Sequence, residues 1–129
     1  SKVDLLEASR MLAEKGYEVR ECQGLGYIPG EIIRLETTDL NERIPHVGWN
    51  DIIKQQDIPL FEGIADETNF YFVHSYHFNV SRKENVAAVT PYCGEFASVV
   101  IKDNIMGTQF HPEKSQKAGF KLIKNFLRM

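Results

Sequence analysis

Within Gly107-Thr-Gln-Phe-His-Pro-Glu-Lys-Ser115, an imidazole, His111, and a carboxylate, Glu113, lie two residues apart. If the segment ends a strand, side-chain alternation turns both toward one side. Glu113 could then accept a hydrogen bond from one imidazole nitrogen and leave the other to take a proton from a nucleophile. That is the relation of a general base to its orienter. Pro112 between them stiffens the connection. Spacing alone leaves a second reading open, in which His111 is an ordinary strand-end histidine and Glu113 begins the following turn.

Other reactive side chains form weaker patterns. The chain has four histidines, but His74 and His77, read on one strand, would face opposite ways, and no thiolate cluster completes a metal set. No metal or other cofactor is expected. The glycines at 24, 26 and 30 lack both a preceding strand and the spacing of a dinucleotide fingerprint. The two cysteines, Cys22 and Cys93, form no Cys-x-x-Cys pair. This usage suits a reducing, cytoplasmic setting.

The elements that position these groups are legible in outline. Asp4 to Lys15 carries Leu5, Ala8, Met11 and Leu12 at helical spacing, with Asp4 as cap and Gly16 as terminator. A loop over Gly24-Leu-Gly-Tyr-Ile-Pro-Gly30 leads into a strand at Glu31 to Leu35. Further strands are expected around His46 to Ile52, Phe70 to Val73, Val86 to Val89, Phe96 to Ile101 and Ile105 to Phe110. The turn Lys102-Asp103-Asn104 folds the last two into an antiparallel hairpin. Gln116 to Met129 reads as an amphipathic helix with an apolar stripe of Phe120, Ile123, Phe126 and Leu127. Strands between terminal helices suggest an α+β order when taken alone.

Bulk properties limit the function classes. A chain of 129 residues, 43% hydrophobic and 11% aromatic, suffices for one domain spanning 1–129. Its net charge of -3 offers no broad basic field for nucleic acid or anionic lipid. No apolar stretch has the length of a membrane span, and no signal-peptide core follows the first residues.

Gln109-Phe-His-Pro-Glu113 resembles the segment that supplies the histidine and glutamate of class I glutamine amidotransferases. Pro45-His-Val-Gly-Trp-Asn50 and Tyr71-Phe-Val-His-Ser-Tyr76 are similar to the branch acting as glutaminase subunit of imidazole glycerol phosphate synthase. Gly24 to Gly30 and Leu122-Ile-Lys-Asn-Phe-Leu127 resemble the same branch, so similarity runs from about Met11 to the end. The resemblance implies His111 as base and Glu113 as orienter. It places His74, Ser75 and Tyr76 in the segment that holds substrate glutamine. It turns Trp49, Tyr71 and Lys114 toward a cyclase (synthase) partner subunit; without it, the two aromatics would read as core and Lys114 as a solvated charge.

One departure bears on activity. The family's nucleophile sits on a strained strand-to-helix turn in a Gly-x-Cys-x-Gly-x-Gln pattern, where small neighbours expose the sulfur. Ungapped alignment back from Gly24 puts Leu6 at the cysteine position and Arg10 at the glutamine position, with Asp4 and Ala8 replacing the glycines. Cys22 and Cys93 lack the elbow context and read as incidental.

The expected fold is therefore α/β, the C-terminal portion of a flavodoxin-like three-layer amidotransferase, mostly mixed or antiparallel strands with terminal helices. The expected function is glutamine hydrolysis to glutamate and ammonia for a synthase partner in histidine biosynthesis, with the isolated chain inactive. The alternatives are a non-catalytic partner-binding module and a truncated gene product. Exposed sheet edges are expected to be covered by a homodimer, strand exchange or a companion chain.

Overall fold

The computed structural model describes residues 28–103 and 105–129. The helix expected at Asp4 to Lys15, and with it Leu6, Arg10 and Cys22, lies outside them.

The strands are β1 (Gly30–Arg34), β2 (His46–Lys54), β3 (Thr68–His74), β4 (Tyr76–Val80), β5 (Val86–Thr90), β6 (Phe96–Lys102) and β7 (Ile105–Thr108). They are followed by the helix α1 (Gln116–Leu127). β1 and β4 form a two-stranded sheet, and the other five run in the order β3-β2-β5-β6-β7. Every neighbouring pair is antiparallel. Antiparallel sheets closed by a C-terminal helix agree with the expected α/β character. The main core lies between the larger sheet and α1, where Ile52, Phe70, Phe72, Val99, Phe110 and Leu122 are sealed from solvent. A smaller cluster of Ile28, Phe78 and Val100 joins the two sheets.

The β6–β7 hairpin forms as its polar turn predicts, with Lys102 opposite Ile105 and Asp103 in the left-handed region at φ 55°. An aspartate tolerates that conformation better than most side chains because its short polar group bonds locally. β7 ends at Thr108, short of the expected Phe110, where the Thr108 hydroxyl donates to the Phe110 carbonyl at 3.0 Å. β4 is additional to the strands expected from sequence. The strand expected at Phe70 to Val73 runs on to His74, and the chain then bends at Ser75, whose carbonyl accepts the Leu35 N–H at 2.9 Å, before β4 begins. His74 and His77 consequently lie on different strands, and alternation along a single strand does not govern which way they face.

The buried face of α1 also differs from the expected stripe. Gly119, Leu122, Asn125 and Phe126 point inward, while Phe120 is 75% and Leu127 68% exposed. Two close approaches set this rotation. A Cβ on Gly119 would lie 1.8 Å from the Pro112 carbonyl oxygen, so only glycine lets the helix nest against that turn. The Asn125 side-chain amide donates to the carbonyls of Leu60 at 2.9 Å and Glu62 at 2.8 Å. A buried amide with both protons matched is stabilising, and it draws a polar residue inward ahead of an aromatic one.

Candidate active site

His111 and Glu113 do come together: the imidazole Nδ1 lies 3.2 Å from a Glu113 carboxylate oxygen, both side chains about one-third exposed at 33% and 39%. The means differs from strand alternation. His111 lies beyond β7 and caps a single 3-10 turn, Pro112–Lys114, that contains Glu113. Proline suits the first position of such a turn because it has no N–H to satisfy.

The turn is fastened to the edge of the larger sheet. The His111 N–H donates to the Tyr71 carbonyl at 2.9 Å. The Tyr71 N–H donates to the Ser115 hydroxyl at 2.9 Å, which in turn donates to the His111 carbonyl at 2.7 Å. Both backbone polar groups of Tyr71 thus point away from β2 and are satisfied by the turn. The opposed pair Trp49 and Tyr71 is accordingly of the kind not hydrogen-bonded across the ladder, in which side chains come closest. Their rings meet edge to face with centroids 5.7 Å apart.

Trp49 and Tyr71 lie on the outer face of β2 and β3, not in the core. Trp49 is 48% exposed, beside exposed Val47 and Val73, which oppose each other in the same register. Lys114 is exposed on the 3-10 turn. Tyr71 therefore connects this apolar face, through its ring, with the His111 turn, through its backbone.

His74, Ser75 and Tyr76 form the corner between β3 and β4. His74 is buried; burial depresses its pKa from 6.5 to about 4, against the opposing hydrogen bond to Tyr76 and helped by the neighbouring histidines His46, His77 and His111. The cysteine in the described residues offers no substitute nucleophile. Cys93 lies in a turn at φ 54°, and burial, reinforced by the Glu42 carboxylate, raises its pKa. A thiol so shifted carries less thiolate at neutral pH.

The residues that sequence reasoning missed are those that hold others in place. Ser115 and Gly119 seat the His111 turn, and their types give no signal because each matters through a distant partner. His46 lies between the Phe72 and Tyr92 rings, stacked on Tyr92 at 3.9 Å. The motif Pro45-His-Val-Gly-Trp-Asn50 contains it, but nothing in that motif points to partners so far along the chain.

Residues 13–129 match the model of the family described as glutamine amidotransferase class-I. Relatives include the imidazole glycerol phosphate synthase subunit HisH of Azospirillum brasilense, 48% identical over 92% of this chain and 62% of its own length. The HisH 1 subunit of Methanococcus maripaludis is 49% identical over 93% of this chain and 58% of its own. The chain thus spans about three-fifths of the length of these curated relatives. Among solved structures, a protein from Thermoplasma acidophilum named for GMP synthase aligns with TM-score 0.59 at 19% identity, over 77% of this chain and 47% of that one. A glutamine amidotransferase from Thermotoga maritima aligns with TM-score 0.53 at 17% identity, over 77% and 40%; at such identities the likeness is one of fold. With a family match over most of its length and relatives near half identical, this chain belongs to the class I glutamine amidotransferases.

Proposed function

We propose that this chain is the base-bearing part of a glutaminase, hydrolysing glutamine to glutamate and ammonia for a cyclase subunit in histidine biosynthesis. The observation that carries the reading is the contact between His111 Nδ1 and Glu113 at 3.2 Å, on a turn tied to the sheet at Tyr71. Glu113 accepts a hydrogen bond from Nδ1–H and fixes the tautomer, which leaves Nε2 to receive a proton from a thiol. Attack on the amide carbon then forms a thioester as the same proton passes to the departing ammonia. Water, deprotonated by His111, cleaves the thioester to glutamate.

In this reading His74, Ser75 and Tyr76 hold the glutamine. The exposed pair Trp49 and Tyr71, with Lys114, meets the cyclase. Support comes from the apolar character of that face and from relatives named as synthase subunits. Neither cysteine of the sequence carries the Gly-x-Cys-x-Gly-x-Gln pattern, so the chain alone is expected to release no glutamate. Mixing it with a segment bearing that pattern, and with the cyclase, should restore release. A glutamine-analogue electrophile should then label the added cysteine.

A second reading, a partner-binding module without turnover, is favoured by the absent pattern together with the exposed face around Trp49. Tight cyclase binding with neither glutamate release nor labelling in the mixed assembly would select it.

A further inference from the structure

A directed chain of hydrogen bonds runs from β2 to the β3–β4 corner. His74 Nδ1 lies 2.9 Å from the Tyr76 carbonyl oxygen. A carbonyl only accepts, so His74 must carry its proton on Nδ1, and in the neutral ring Nε2 is then an acceptor. Nε2 faces His46 Nδ1 at 3.0 Å, which must therefore donate. That leaves His46 Nε2 as an acceptor, and it meets the Asn50 amide nitrogen at 3.2 Å. The same nitrogen donates its second proton to the Pro91 carbonyl at 3.1 Å.

The orientation of the Asn50 amide is not arbitrary. Its oxygen accepts the Asp51 N–H at 2.8 Å, so a flip would lose that bond and set oxygen against the Pro91 carbonyl. Every donor in the series meets an acceptor only if both histidines are neutral and both carry the proton on Nδ1. The rings cannot turn away: Phe72 and Tyr92 flank His46 at interplanar angles of 21° and 13°. The Tyr92 hydroxyl is held by the backbone N–H and carbonyl of Arg43.

We infer that His46 is a positioning residue: its Nδ1–H, given to His74 Nε2, reinforces the one tautomer in which His74 clamps the Tyr76 carbonyl and holds the bend at Ser75. Burial supports this by keeping both rings uncharged, with pKa values near 4. The facing charged and titratable groups do not reverse it. The Glu42 carboxylate favours protonation of His46 less strongly than burial opposes it, and His77 and His111 disfavour a charge on His74. The consequence for substrate rests on the proposed reading of His74, Ser75 and Tyr76 as the glutamine-holding segment; the clamp itself does not.

The test begins with long-range 1H–15N spectra of the 129-residue chain at neutral pH. Both His46 and His74 should show a protonated Nδ1 and a bare Nε2, whereas a free imidazole prefers Nε2–H. Either ring found as Nε2–H overturns the inference, whatever the activity. His46→Phe keeps the stacking and removes the donor; with only the Tyr76 carbonyl left to select the tautomer, a minor Nε2–H form of His74 should become detectable, and His46→Asn, which keeps an N–H near the Nδ1 position, should suppress it. A His74 spectrum indifferent to both substitutions also overturns the inference. In the complemented glutaminase, His46→Phe should raise KM for glutamine about tenfold with kcat within about twofold, as expected for lost ground-state positioning. An unchanged KM beside the predicted spectra would leave the clamp standing and refute the glutamine-holding role of the segment.

Discussion

Two histidine environments meet at β3. At one end His74, with His46 behind it, is buried among Phe72, Phe96 and Tyr92 rings and is held neutral by desolvation. Alongside the outer edge, His111 is a third exposed and faces a carboxylate. Surroundings that exclude charge suit a ring whose task is to hold geometry. In the proposed reading His111 is the base, and an open ring with a carboxylate behind it to orient it suits that task. The residue type is the same; desolvation on one side and a paired carboxylate on the other set the two apart.

The buried side should be the more costly to disturb. Phe72 is sealed from solvent and touches His46, His74, Phe96 and Phe110. Phe72→Ala should lower unfolding free energy by about 3–5 kcal/mol through lost burial and a residual cavity. Urea denaturation followed by circular dichroism measures it. On the open side, Gly119→Ala forces a methyl against the Pro112 carbonyl and should cost about 1–3 kcal/mol by overpacking. Because the strain falls on the turn, amide shifts of His111, Glu113, Lys114 and Ser115 should move while those of β5 and β6 stay in place.

The pH response separates the two environments without mutation. His46 and His74 have folded pKa values of about 4 against 6.5 for the ordinary side chain. Between those values the unfolded chain binds more protons than the native one, so stability falls as the pH drops from about 6.5 toward 4. Their contribution is complete above that window. Substituting His46 and His74 together with phenylalanine should flatten the slope of unfolding free energy over this range. The smallest effect on folding belongs to the outer face: Trp49→Ala should change stability by only about 0.5 kcal/mol, as surface substitutions do. If this face is the proposed cyclase interface, the same change should weaken cyclase binding at least tenfold by titration calorimetry, as loss of an aromatic anchor does.

The sequence displays more of this fold than of its joints. Every expected strand within the described residues is present, because runs such as Phe96 to Ile101 are rich in residues that fit a pleated surface. β4 escapes such a reading because nothing in Phe70 to Val80 marks the bend at Ser75, which depends on the Leu35 N–H arriving from β1. The inward face of α1 is hidden for a similar reason. Apolar periodicity favours Phe120 over Asn125, yet the carbonyls that satisfy Asn125 come from Leu60 and Glu62. At the site, the types and spacing of His111 and Glu113 are plain, whereas the 3-10 turn that joins them, and the Ser115 and Gly119 that seat it, are not. Contacts between residues far apart in sequence leave no local pattern to read.

Whether the open histidine is the base of a glutaminase is decided by glutamate release from the complemented assembly carrying His111→Ala or Glu113→Gln. Loss of the base should lower kcat by about 10²–10⁴-fold, with Glu113→Gln retaining more activity because the imidazole remains and only its orientation and charge support are weakened. Cyclase binding should be unchanged in both variants. Glutamate release by His111→Ala within a few-fold of the unsubstituted assembly would mean that His111 is not the base.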